Sequence, residues 1–326
     1  MKKNFLFLFL STLLLFTGCD RRTNGEKQSF ISLGTVCSIT LPKGTRQSVY
    51  DAAKQEIIAV NDKFSRTSEK SELYALNRDK SIVASEEFYA LVETAVSVAK
   101  LTDGAFDPAI GGLTALWNIA TEHPHVPSDE EIARVDRSWS DIQMDPSSRR
   151  ITVPKTMDID LGGIAKGYAA DKAKKTLAEH GVRQGLINLG GNVYALGAKE
   201  DGSDWRIGLR DPKGQEGSAF IIINLSDKAV VTSGGYERYF VQDGKTYHHI
   251  LDPSTGYPAK SDLLSSSIIG TDSTLCDGLS TAVFVLGSEK GLALINRLEG
   301  YDCVLMKTDG TIIFSKDFPY KTSYLT

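Results

Sequence analysis

Asp160-Leu-Gly-Gly-Ile-Ala-Lys-Gly-Tyr-Ala-Ala-Asp171 reads as the end of a strand, a tight turn and the opening of a helix. Residues 157–161 supply the strand. The helix runs to about residue 180, with Ala165, Ala169, Ala173 and Leu177 on one face. Gly162 and Gly163 let a ligand approach the backbone, and the helix start offers free N–H groups to phosphate oxygens. Lys166 adds positive charge and Asp160 an acceptor. A plain strand-to-helix turn with a solvated lysine reads the same way. The spacing is neither that of a Walker A loop nor of the GxGxxG fingerprint.

Outward from this turn, apolar residues at steps of three or four predict helices over 48–64 and 86–102. Further helices are expected over 274–286 and 289–298. Strands are expected over 32–41, 149–153, 186–189, 205–209, 219–225, 229–233, 236–241, 246–250 and 265–270, with two short ones closing the chain. The Gly-, Pro- and His-rich stretch 103–130 reads as a structured loop. Helices and strands mix without regular alternation, so the expected fold class is α+β, with mixed or antiparallel sheets and packed helices.

Thr274-Leu-Cys-Asp-Gly-Leu-Ser-Thr281 has the spacing of a capping box at Thr274 and Asp277. Asp277, Ser280 and Thr281 stand at i, i+3 and i+4 and share a helix face. A carboxylate and hydroxyls on one face suit a hard cation such as Mg²⁺, and equally a polar face in solvent. His248-His249-Ile-Leu-Asp-Pro-Ser-Thr-Gly256 places a histidine before a turn, where it is a candidate general base or a structural ring. Asn188-Leu-Gly-Gly-Asn192, Thr232-Ser-Gly-Gly-Tyr236 and Gly104-Ala-Phe-Asp-Pro108 are weaker signals, each also explained as a glycine turn.

The chain has 326 residues, 41% hydrophobic and 24% charged, ample for a real core. Its net charge of −4 leaves no basic excess to neutralise phosphates along a nucleic acid, which sets DNA and RNA aside. Lys2-Lys3 followed by the apolar run from Phe5 to Phe16 has the form of a signal peptide, too short to span a bilayer. It ends in Phe16-Thr17-Gly18-Cys19, similar to a bacterial lipobox, so Cys19 is expected to be lipidated after removal of residues 1–18. Residues 19–29 read as a polar tether and residues 30–326 as one domain, on the periplasmic side of a bacterial membrane. Cys37, Cys276 and Cys303 have no metal-binding spacing and are expected as buried thiols.

Taken together and in order, these segments resemble the ApbE family. The resemblance runs from Ser32-Leu-Gly-Thr35 through Phe64-Ser65, Ser71-Glu-Leu73, Asn77, Gly104-Ala-Phe-Asp107, Trp117 and Asp160–Gly167. It continues through Asn188–Asn192, Trp205, Asp211-Pro212, Thr232-Ser-Gly234, His249–Gly256 and Asp277-Gly-Leu-Ser-Thr281. It implies a T-fold-like domain of duplicated halves. It further implies an FAD:protein FMN transferase that cleaves the FAD pyrophosphate with Mg²⁺. FMN would pass to a threonine in a short Asp/Ser/Thr-rich motif of a membrane redox-complex subunit, with release of AMP. By position, Asp277 and Thr281 would bind Mg²⁺ through side chains and Gly163 through its carbonyl, with Ser280 in or beside that shell. Leu33, Thr67, Ala105, Phe106, Asp107, Asp160, Lys166 and Ile250 would hold FAD, and His249 would take the acceptor's proton. Leu33 and Thr67 stand where the family usually has methionine and tyrosine. Threonine cannot stack on the nucleotide, which brings a Mg²⁺-dependent FAD pyrophosphatase into view as the alternative. A flavin-binding lipoprotein without chemistry is the third reading.

Overall fold

The computed structural model describes residues 25–119, 121–215 and 217–325. The expected signal peptide and the expected lipidation site, Cys19, lie outside these residues. The chain opens with a hairpin, β1 (Gly25–Ser32) and β2 (Thr35–Pro42), followed by α1 (Gln47–Lys63), α2 (Glu72–Asp79), β3 (Ser81–Val83) and α3 (Glu86–Leu101). Next come α4 (Gly111–Trp117), α5 (Asp129–Ala133), β4 (Gln143–Asp145), β5 (Arg150–Thr152), α6 (Ala165–Glu179), β6 (Gly185–Leu189) and β7 (Asn192–Leu196). Strands β8 (Trp205–Arg210), β9 (Ala219–Leu225), β10 (Lys228–Gly234), β11 (Tyr239–Gln242), β12 (Lys245–His248) and β13 (Leu263–Gly270) precede α7 (Ser273–Ile295). The chain closes with β14 (Asp302–Lys307), β15 (Ile312–Phe314) and β16 (Thr322–Tyr324).

An eight-stranded antiparallel sheet, ordered β1-β2-β6-β7-β10-β13-β14-β15, is the frame. Its halves repeat one pattern. In the first, two strands, helices α1 and α6 and two strands follow in order; in the second, β10, β13, the two arms of α7, β14 and β15 do so. Alternate strand residues face opposite layers. Ala229, Val231 and Ile268 join the core beneath the helices, whereas Val230, Ile269 and Val304 join a second core beneath the β16-β9-β8 sheet. A third, smaller core of Leu113, Trp117, Ile132 and Leu251 lies with Phe240 and Tyr247 of the β11–β12 hairpin. There the Trp117 indole N–H donates to Gly256 O at 2.8 Å and anchors the turn after His249.

The α+β class and most helix positions agree with the sequence reading. Three boundaries differ. The strand expected over 32–41 is the second arm of a hairpin turning at Leu33-Gly34, both at positive φ, and residues 25–29, expected as tether, already pair with β2. Residues 157–161 are extended but join no ladder beyond one bridge between Asp158 and Ile110. Their backbone groups are taken by side chains and loops instead: Asn77 bonds both Ile159 N and Ile159 O, and Gly111 N donates to Asp158 O. The expected loop over 103–130 contains α4 and the start of α5, the latter opened by a Ser128–Glu131 capping box. The helices expected over 274–286 and 289–298 are the two arms of α7, separated as expected by the non-helical Gly287 (φ 78°), where the Asp262 carboxylate accepts Ser288 N and Oγ. Cys37, Cys276 and Cys303 are buried free thiols, as expected.

Candidate active site

The turn into α6 is held by its own first residue. Asp160 Oδ1 accepts Gly162 N at 2.7 Å, and Asp160 Oδ2 pairs with Arg66 Nη1 at 3.0 Å. Arg66 also donates to Gly111 O at 2.9 Å, so it ties the turn to α4. The first turn of α6 then crosses the start of α7. A Cβ on Gly167 would lie 2.1 Å from Ser273 O, so only glycine permits the two helix backbones to approach this closely. One turn further on, Asp171 accepts from Ser273 N, Thr274 N and Thr274 Oγ1 and locks the crossing.

This crossing puts the carboxylate of Asp277 against the N-terminus of α6, where the helix dipole favours negative charge. The side chain is 2% exposed. Its Oδ2 accepts Gly167 N at 2.9 Å; its Oδ1 accepts Asn192 Nδ2 at 3.0 Å and lies 3.6 Å from Lys166 Nζ. The capping box expected at Thr274 and Asp277 does not form. Asp272 is the N-cap, accepting Leu275 N, because Thr274 is held by Asp171 and Asp277 by α6. Nor is the polar face of α7 turned to solvent, since α7 packs between α6 and strands β10 and β13.

One turn along α7, Thr281 meets the glycine turn. A Cβ on Gly163 would stand 3.5 Å from Thr281 Oγ1 and 3.1 Å from the Phe106 ring. Ser233 Oγ of β10 lies 2.8 Å from Ser280 Oγ and 3.3 Å from Thr281 Oγ1. Ser280 Oγ donates back to Asp277 O at 2.9 Å, so its hydroxyl braces the helix and β10. Gly163, Phe106, Lys166, Asp277 and Thr281 are therefore brought together by the helix crossing.

His249 follows β12, and the charges of Arg238 and of Lys166 act on its ring. Its Nδ1 lies 3.2 Å from Arg238 O, whose oxygen also accepts His249 N at 3.0 Å. A carbonyl can only accept, so Nδ1 carries the proton and Nε2 keeps the lone pair. Burial pushes the ring's pKa down to about 4, helped by the charges of Arg238 and Lys166. The ring is thus neutral at pH 7, with a defined basic nitrogen. His248 is structural. Its Nε2 donates to Ala259 O at 3.1 Å, its ring meets Phe284 edge-on, and burial lowers its pKa.

Other expected contacts sit on the rim or in support. Arg238 Nη2 reaches Gly34 O at 3.5 Å, which joins the Leu33-Gly34 turn to the hairpin beside His249. Thr67 is exposed, and its hydroxyl lies 3.2 Å from Ser65 Oγ. Ala105 is buried beside Phe106. Asp107 is 5% exposed and turned inward; its two oxygens accept Ala109 N at 2.8 Å and Trp139 N at 3.0 Å. Burial raises its pKa to about 6 despite those bonds. Its carboxylate shapes the loop that carries Phe106. Ile250 is buried, and its carbonyl accepts Ala259 N. Sequence reasoning passed over Arg66, Asn192, Ser233 and Arg238. Asn192 and Ser233 lie inside the glycine-bearing segments Asn188–Asn192 and Thr232–Tyr236, but nothing local marks their side chains as partners of α7.

The ApbE family profile matches residues 33–305, which is most of the chain. The chain belongs to the ApbE family. The FAD:protein FMN transferase of Treponema pallidum is 36% identical over 318 residues, covering 90% of this chain and 87% of that protein. One from Klebsiella pneumoniae is 38% identical over 72% of this chain and 73% of its own length. The crystal structure of the ApbE protein from Thermotoga maritima superposes with a TM-score of 0.84 at 36% identity, covering 90% of this chain and 98% of that one. The flavin transferase ApbE of Vibrio cholerae gives 0.78 at 27% identity, over 90% and 98%.

Proposed function

We infer that this ApbE-family chain is an FAD:protein FMN transferase, in which FMN passes from FAD to a threonine hydroxyl of a partner protein and AMP leaves. The α6 start, Asp277 and Thr281 gathered at one helix crossing, with the neutral His249 within electrostatic reach of Lys166, carry the reading. The α6 N-terminus and Lys166 present positive potential to the pyrophosphate. Asp160, held by Arg66 and Gly162 N, keeps the glycine turn in shape. His249 Nε2 is free to accept the proton of the acceptor hydroxyl as that oxygen attacks phosphorus.

The donor set fits Mg²⁺. An ionised carboxylate has about four acceptor sites, and the two N–H donors on Asp277 use only two while fixing its orientation. Among the described residues no three His, Cys, Asp or Glu side chains converge, so the cation's remaining partners would be the Thr281 hydroxyl, the Gly163 carbonyl, substrate oxygens and water. When bound there, Mg²⁺ would neutralise the pyrophosphate and stabilise the leaving AMP oxygen. Ser280, held to the helix backbone and Ser233, would support this shell from behind.

Water replaces the acceptor in the second reading, an FAD pyrophosphatase. The exposed Thr67, with no ring to cover the nucleotide, favours it as a side activity. We place the mature protein on the periplasmic side, anchored through a lipidated Cys19; loss of acyl labelling and of membrane association in Cys19→Ala would bear this out. The function is tested by mass spectrometry of a threonine-bearing acceptor-motif peptide incubated with the protein, FAD and Mg²⁺ while AMP is followed. An FMN adduct on the threonine is expected. AMP and free FMN without any adduct would leave the pyrophosphatase, and no AMP would overturn both.

A further inference from the structure

Among the described residues, four of the eight exposed large apolar side chains lie on two hairpins beside His249. Ile31 (83% exposed) and Val36 (64%) are direct cross-strand partners near the tip of the β1–β2 hairpin. Tyr239 (55%) and Val241 (60%) alternate along β11. The hairpins meet where Arg238 Nη2 contacts Gly34 O, one residue before Tyr239. Single exposed apolar residues are ordinary, but a cluster at one rim is not.

The backbone of β11 adds a second feature. His249 N donates to Arg238 O, and the two-residue turn Asp243-Gly244 closes the hairpin, so hydrogen-bonded pairs fall at Arg238, Phe240 and Gln242. Tyr239 and Val241 therefore direct their N–H and C=O groups away from β12. No other described strand pairs with β11. The free edge thus carries the two exposed side chains, while the alternate Phe240 stacks on Tyr247 at 5.2 Å and holds the hairpin down.

We propose that this rim, the free edge of β11 with the Ile31–Val36 pair, is where the acceptor protein docks, an extended segment lying against β11 and its apolar side chains covering Tyr239, Val241 and the tip of the β1–β2 hairpin. The proposal rests on the transferase reading. That reaction's second substrate is a polypeptide whose threonine has to reach the phosphorus beside His249, and the residue that bonds His249 is continuous with β11. Strand addition supplies affinity through main-chain bonds and selectivity through alternate side chains.

The test compares the full-length wild-type chain with Ile31→Thr/Val36→Thr, Tyr239→Thr/Val241→Thr and Val241→Pro. Threonine keeps strand propensity, and a proline at 241 removes only an outward N–H. The probe is a redox-protein domain that the wild-type chain flavinylates. Each variant should raise KM for that domain by roughly tenfold, a loss of about 1.4 kcal/mol, while acceptor-free release of AMP from FAD stays within about twofold. An unchanged KM overturns the proposal. So does an unchanged KM accompanied by weaker binding to phosphatidylglycerol vesicles or by altered sedimentation, which would reassign the rim to a membrane or to a second copy. If the wild-type chain flavinylates no protein, the transferase reading falls and takes the docking surface with it, and that failure is visible before any variant is made.

Discussion

Asp277→Ala and Asp277→Asn separate the architectural task of this carboxylate from its chemical one. In the 2%-exposed site it accepts Gly167 N and Asn192 Nδ2 and faces Lys166 Nζ at 3.6 Å. Alanine leaves two buried donors without acceptors, which at about 1–3 kcal/mol each costs about 2–6 kcal/mol. For a chain of this size that lowers Tm by roughly 5–15 °C. Asparagine is different. Its oxygen can still accept Gly167 N, and the Asn192 amide can turn over to accept from the new NH₂, so both bonds survive. Only the negative charge is lost, at about 0–1.5 kcal/mol. Both variants should release AMP from FAD at least about 100-fold more slowly at fixed Mg²⁺, because the only carboxylate proposed to hold the cation has gone. The assay is chromatographic AMP release across a Mg²⁺ titration, with thermal unfolding in parallel. An asparagine variant with wild-type rate and Mg²⁺ dependence would refute the metal assignment. An asparagine variant as unstable as the alanine one would refute the hydrogen-bond argument.

The remaining predictions concern the surrounding residues. For His249, the acid limb of kcat/KM should lie near pH 4, not near 6.5, and disappear in His249→Gln; a limb at 6.5 contradicts the burial argument. The same shift sets a stability trend: the folded pKa is below the unfolded value, so the benefit of a neutral ring is present above about pH 6.5 and lost as pH falls toward 4. Gly167→Ala should separate α6 from α7 and cost about 3 kcal/mol or more, since its Cβ would stand 2.1 Å from Ser273 O; a melting curve matching wild type would show that the crossing adjusts freely. Thr67→Tyr should lengthen FAD retention and slow acceptor-free hydrolysis by covering the nucleotide, and an unchanged hydrolysis rate would sink that idea. Asp107→Asn should destabilise the protein by about 1–3 kcal/mol in thermal unfolding at pH 7, because one backbone N–H would face an amide NH₂; unchanged stability would mean that the loop relaxes.

The sequence by itself determined which segments matter. Helical spacing located α1, α3, α6 and α7, and the glycine turn at Gly162-Gly163 and the Asp277–Thr281 face stood out because special backbone and paired oxygen donors leave local marks. Local signals also explain the misses. Residues 157–161 look like a strand, yet their hydrogen bonds go to Asn77 and Gly111, which are distant in sequence. The Thr274–Asp277 spacing looks like a cap, yet Asp171 and Gly167 claim those side chains from another helix. Only the tertiary structure decided that Asp277 lies buried at the α6 N-terminus, that His249 has Nδ1 bonded and Nε2 free, that Asp107 faces inward, and that exposed apolar side chains of β11 lie on the hairpin joined to the β1–β2 tip. Each of these depends on contacts between residues far apart in the chain. Burial and hydrogen-bond partnership are properties of such pairs, and a single stretch of sequence carries only one member of each.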